Sequence, residues 1–190
     1  MDALIQRVRG VLVDPRNTLV ADVRPAPPWP VAMREHAIPL VGGSAVAAAI
    51  LGVVFGDGGL GAGLFGVLFT LLLKVVVGVA MLAAMGGITA FFSGMFGGQT
   101  DFETAFALVV LSMTPFYLGE AVLPLPAIGG FAALAGVIYA LYVFYQGIDC
   151  VLGVPGEHRV KHFVLVLVST LMLSLVVALI IGPLVLTGTP

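Results

Sequence analysis

Residues 67–92 read VLFTLLLKVVVGVAMLAAMGGITAFF, an apolar run broken by a single charge, Lys74. A helix needs about 20 consecutive apolar residues to cross the hydrocarbon core of a bilayer. This run is long enough. Bare backbone amides are not tolerated in hydrocarbon, so such a segment is predicted to be helical from end to end. Its reading as a membrane span organises the rest of the chain.

The 190 residues are 60% hydrophobic and 9% charged, and the mean hydropathy is +1.16. Ordinary globular domains are roughly a quarter charged. Eight basic and ten acidic side chains cannot cover a water-soluble particle of 19.6 kDa. Disorder is excluded as well, because it requires low hydrophobicity. A net charge of −2 does not suit nucleic acid, so no nucleic-acid partner is expected. The lone cysteine, Cys150, allows no internal disulfide and reads as a small apolar filler. No secretory signal is expected, since Asp14, Arg16, Asp22 and Arg24 follow Arg7 and Arg9 before any long apolar run.

The fold class that follows is all-α: a polytopic membrane protein with five transmembrane helices and a short N-terminal amphipathic helix. The chain divides into an N-terminal interfacial segment, 1–35, and a five-helix membrane domain, 36–190. Leu4, Ile5, Val8, Val11 and Leu12 recur at helical spacing, flanked by Arg7 and Arg9. That stripe suits either a membrane interface or a docked position on the bundle. Asp14-Pro15 has the N-cap and N1 chemistry of a second short helix. Pro25, Pro27, Pro28 and Pro30 predict an extended linker.

The expected spans are 37–55, 67–92, 102–118, 127–145, and a fifth from His162 or Phe163 to Leu186. Gly56-Asp57-Gly58-Gly59 reads as a turn, with part of 59–66 as loop. Asp101 is placed as the N-cap of the third span with Glu103 in its first turn, and Pro115 as a kink within it. Residues 147–157 read as a polar connection. Five arginines precede the first span, and Arg159 and Lys161 flank the start of the fifth. With five spans, all seven fall on one side, which the lysine and arginine bias makes cytoplasmic. The C-terminus is then outside.

Small residues four apart, such as Gly43/Ala47, Ser44/Ala48, Ala83/Gly87, Gly129/Ala133 and Ala132/Gly136, allow close helix approach. They suit a compact bundle and a homo-oligomer formed through small-residue helix faces.

Lys74 is the outstanding single residue, because an ionisable group within a span is costly. Glu120, at the end of the third span, can reach similar depth. The pair either lines a polar cavity or, as the default reading, is a structural ion pair or a lysine that snorkels to the outer surface. His158 and His162 lie four apart, a spacing that can hold a metal. Arg159 and Lys161 stand between them and no HExxH glutamate is present, so no metal site is assigned. Arg7, Arg9, Arg159 and Lys161 are candidate lipid-headgroup contacts. Tyr142 and Tyr145 form a belt, followed by Gln146 and Asp149 as candidate polar residues. No nucleophile–base–acid set, phosphate loop or paired intramembrane carboxylates is visible, so neither catalysis nor a cofactor is expected.

The chain resembles the Yip domain family (Ypt/Rab-interacting proteins) in its short prokaryotic form. Four features carry the likeness. Val11-Leu12-Val13-Asp14-Pro15 with Thr18 is similar to the family's N-terminal apolar patch, although Leu19 stands where an aromatic is usual. The segment 96–106, FGGQTDFETAF, resembles the start of its third span. Ser112-Met113-Thr114-Pro115 resembles its serine-x-threonine-proline kink, with Leu111 in place of a frequent tyrosine. The segment 142–148, YVFYQGI, followed by Pro155 and a charged patch, is similar to the end of its fourth span. The resemblance implies five spans with a cytoplasmic N-terminus, here reduced to about 35 residues. Eukaryotic relatives are associated with vesicle trafficking and with prenylated Rab-type GTPases, and prokaryotic members are largely without an assigned function.

The expected function is that of a non-enzymatic integral protein, in a prokaryotic cytoplasmic (inner) membrane, that organises membrane lipids or an unknown protein partner. The alternative is a small transporter or channel with a polar path near Lys74 and Glu120.

Overall fold

The structure is a computed structural model that describes residues 2–55 and 63–187. The expected turn at 56–59 lies outside the described residues. Among those described, all regular structure is helical. The helices are α1 (Asp2–Val13), α2 (Pro15–Val23), α3 (Trp29–Ala32), α4 (Ile38–Phe55), α5 (Gly63–Met95), α6 (Phe102–Ser112), α7 (Thr114–Ala121), α8 (Gly129–Cys150) and α9 (Gly156–Thr187). A π-helical segment, Met33–Ala37, joins α3 to α4. Five stretches are long and apolar enough to cross a membrane: Trp29–Phe55, Gly66–Met95, Phe102–Ala121, Gly129–Cys150 and Gly156–Gly182.

Local chemistry explains the boundaries. Asp14 caps α2 by accepting from the Asn17 backbone N–H at 3.3 Å, with Pro15 at the first helical position. Asp101 caps α6 by accepting from the Thr104 N–H and hydroxyl, both at 2.9 Å. The third span breaks at Met113, and Pro115 stands in the first turn of α7, where its missing N–H removes no helical hydrogen bond. The kink expected at Pro115 is therefore present as a break between two helices.

Three expectations need correction. The proline linker ends at Pro28, because Pro30 fits the first turn of α3, and the first span begins at Trp29 rather than Ala37. The fifth helix begins at Gly156, with its charged turn helical, rather than at His162. The connection at 147–157 is short and partly buried. Helix α8 runs to Cys150, and Val151, Leu152 and Val154 are enclosed in the core. Backbone groups there are paired: Gln99 N–H donates to the Leu152 carbonyl at 2.8 Å, and Arg24 Nε donates to the Val151 carbonyl at 3.1 Å.

The third span is central. Two thirds of it (67%) is buried, against 6% for the second and fifth spans. Phe106, Leu108, Val109 and Val110 of α6 form a core with Phe144 and Ile148 of α8 and Leu19 and Val23 of α2. The ends of the bundle can be named from these contacts. The proximal end carries α1, α2 and the starts of α6 and α9. The distal end carries the α7–α8 connection.

Close backbone approach holds α7 against α8. A Cβ on Gly136 would come within 2.5 Å of the Pro115 carbonyl oxygen, and one on Gly119 within 2.8 Å of the Ala132 carbonyl oxygen. Two of the small-residue pairs, Gly129/Ala133 and Ala132/Gly136, thus pack within the chain, whereas Cβ atoms on Gly43 and Gly87 would meet open space. Overpacking a tight contact costs about 1–3 kcal/mol. Gly136→Leu should accordingly lower the unfolding midpoint in detergent clearly, and Gly43→Leu should leave it nearly unchanged, as read by circular dichroism melts.

Candidate functional site

Polar chemistry collects in three places. The first is distal. Lys74 Nζ donates to Glu120 Oε1 at 2.7 Å, joining the second and third spans. Both side chains stay partly accessible, at 47% and 26%. The pair is shared by two cavities. One, of about 600 Å³, extends inward and is lined by all five spans, including Ser44, Met81, Tyr117, Leu141 and Leu171. The other, of about 380 Å³, lies between α4, α5 and the Leu123-Pro124 turn. Sequence reasoning paired these two residues, and they do meet. The cavities left no trace in the sequence, because each is bounded by side chains from several helices far apart in the chain.

The second place is a buried seam. His36 is 3% exposed, and its Nε2 lies 3.2 Å from Thr114 Oγ1. This contact joins the π segment of the first span to the break in the third. Two irregular helix sites thus face each other. Sequence reading missed His36, since it follows Arg34-Glu35 and looked like the end of the polar N-terminal segment. Ser112-Met113-Thr114-Pro115 was the only signal on the partner side.

The third place is the proximal face. Helix α1 buries Val11 against the bundle and leaves Ile5, Leu12 and Val13 exposed. Of the two positions left open for it, the structure shows the docked one, with a second apolar edge turned outward. Tyr139 Oη fixes its end by donating to the Leu12 carbonyl at 3.0 Å. Arg7 reaches Asp22 at 3.9 Å and Glu35 at 3.8 Å. Arg159 donates to the Tyr145 carbonyl at 3.0 and 2.8 Å and stacks 4.0 Å from that ring. Asp149 receives Arg16 at 3.7 Å and Arg159 at 3.8 Å, and Gln146 Nε2 donates to Tyr142 Oη at 3.1 Å. Of the four headgroup candidates, Arg7 and Arg159 are engaged within the chain, and Arg9 and Lys161 are exposed.

His158 and His162 flank one aromatic ring. Phe96 contacts both rings, with centroids at 5.5 and 6.3 Å, and His162 Nε2 lies 3.2 Å from the Thr89 carbonyl oxygen. Among the described residues, no three His, Cys, Asp or Glu side chains gather as a metal site.

Asp101 has a cap role that pH can read. The Thr104 N–H, then its hydroxyl, hold the carboxyl below its ordinary value of 3.8. A depressed native value stabilises the fold above the ordinary pKa, and that contribution is lost as pH falls through the native value. Asp101→Ala should cost about 1 kcal/mol at neutral pH. The gap between wild type and variant should close in acid, measured by urea unfolding at several pH values.

The Yip1 domain family model matches residues 9–180, from α1 into α9. No curated protein and no solved structure gives a significant match. The matched region contains the capped α2 and α6, the broken third span and the last turns of α8. This chain is an integral membrane protein that belongs to the Yip1 domain family.

Proposed function

We propose that the protein is a non-enzymatic organiser of membrane lipid or partner proteins, acting through its proximal face. One observation carries this reading: an exposed apolar edge, Ile5, Leu12, Val13 and Val20, lies on the same α1–α2 platform as the exposed Arg9 and Arg16. Lys161 is exposed at the same end of the bundle. Apolar and basic groups presented together suit an interface of acyl chains and anionic headgroups. Seven of the eight basic side chains lie at this end, and Lys74 alone is distal. That asymmetry supports a cytoplasmic proximal face, and the likeness to short prokaryotic members of the family supports an inner membrane. The family resemblance adds a trafficking-like role.

A transport reading draws on Lys74 and Glu120, which border both cavities. Against it, the bundle is solid proximal to the larger cavity, where Phe106, Leu108 and Phe144 are fully enclosed.

The test uses Trp29, the only tryptophan, which is 43% exposed and whose backbone N–H lies 3.4 Å from Glu103 Oε1 at the proximal end. In proteoliposomes, energy transfer from Trp29 should be stronger to dansyl-phosphatidylglycerol than to dansyl-phosphatidylcholine. Each of Arg9→Glu and Lys161→Glu should reduce that preference by roughly fivefold or more, since a basic residue near an anionic surface contributes about 1 kcal/mol. Equal transfer to both lipids in the wild type would count against a headgroup role.

A further inference from the structure

The distal cavity is a different site from the proximal face and faces the other end of the bundle. Its polarity is graded. At one end stand the Lys74–Glu120 pair and, one helical turn inward on each helix, Gly78 and Tyr117. Val41 of the first span fills the space beside Gly78, where a Cβ would come within 2.7 Å of its side chain, and the Tyr117 hydroxyl stands next to it, 3.5 Å from that position. Further in, the lining becomes apolar, through Leu82 and Met85. The shape is that of an amphiphile site, with charge at one end and hydrocarbon at the other.

Leu171 of the fifth span lines the cavity and is itself more than half accessible, so the cavity opens beside α9. In a span that side faces lipid, so acyl chains are the neighbours of the opening. A volume of about 600 Å³ falls within the range of small-molecule sites. The depth also fits. Lys74 and Met95, the proximal end of the unbroken α5, lie ~32 Å apart at 1.5 Å per residue, close to the hydrocarbon thickness of ~30 Å. The ion pair therefore sits near the distal boundary between acyl chains and headgroups.

We infer that this cavity binds a zwitterionic aminophospholipid, with its headgroup on Lys74–Glu120 and one acyl chain in the space beneath. The charge pattern selects the headgroup. An ammonium has three donors, and Lys74 directs one to Glu120 Oε1, leaving others for a phosphate oxygen. Glu120 keeps lone pairs free on its second oxygen, which a primary ammonium can donate to. A choline headgroup has no N–H to donate. An anionic glycerol headgroup sets a net negative charge beside Glu120. Phosphatidylethanolamine satisfies both members of the pair, and the pair itself stays intact.

The experiment is native mass spectrometry of the full chain, released from detergent after equilibration with equal amounts of phosphatidylethanolamine, phosphatidylcholine and phosphatidylglycerol. The wild type should retain phosphatidylethanolamine over the other two by roughly tenfold, the ratio expected of a hydrogen bond to a charged group. Lys74→Met and Glu120→Gln should each abolish the preference. Because either could disturb folding, Thr170→Phe serves as a second variant. It leaves the pair intact and fills the cavity that Thr170 lines. It should cut lipid retention while the circular dichroism melt stays at or above that of the wild type. Equal retention of the three lipids by the wild type overturns the inference. So does undiminished phosphatidylethanolamine binding in a folded Thr170→Phe variant, or a lipid-free dimer that this substitution dissociates, which would make a second copy the occupant.

Discussion

The approach of two backbones, Pro115–Gly119 on one helix and Ala132–Gly136 on the other, is the constraint on which the bundle depends. Inside a bilayer, burying leucine against leucine gains little over burying it against lipid. Helices associate instead where small residues let backbones come close and dispersion contacts accumulate. Gly119 and Gly136 provide this at the distal end, and Gly86, close against Phe106, continues it along the second span. The third span thereby becomes the buried axis. The second and fifth spans, with most of their surface facing lipid, lean on it only in part.

The break at Met113 has a structural consequence for the polar interior. A straight helix would satisfy its backbone internally, whereas a break frees the groups around it. Here Thr114 turns its hydroxyl toward His36, which the π segment brings into the core. Two local departures from α geometry meet through one side-chain contact. Charged side chains are otherwise gathered toward the two ends of the bundle. At the proximal end they form a network of arginines, carbonyls and carboxylates around Asp149 and Tyr145. At the distal end the Lys74–Glu120 pair borders two cavities. This asymmetry gives the molecule two chemically distinct ends.

What the amino-acid sequence determined by itself was the number and order of the spans. Long apolar runs have only one way to satisfy their backbone in hydrocarbon, and scarce charges must lie at or near the ends of those runs. The caps at Asp14 and Asp101 and the break at Pro115 were equally legible, because each depends on neighbours a few residues away. The Lys74–Glu120 pair was readable too, since alternating spans place their depths side by side.

Tertiary structure decided the rest. Pro30 entered a helix because only the first turn matters to a missing N–H, and the sequence does not mark where that turn begins. Arg159 and Arg7 looked available for headgroups, yet their partners, the Tyr145 carbonyl and the Asp22 and Glu35 carboxylates, are assembled only when the helices dock. His36 gave no sign of burial, and its contact is with a residue 78 positions away. The cavity beside Lys74 is the clearest case: its lining comes from five spans, and an empty volume is a property of how helices diverge rather than of any residue in them.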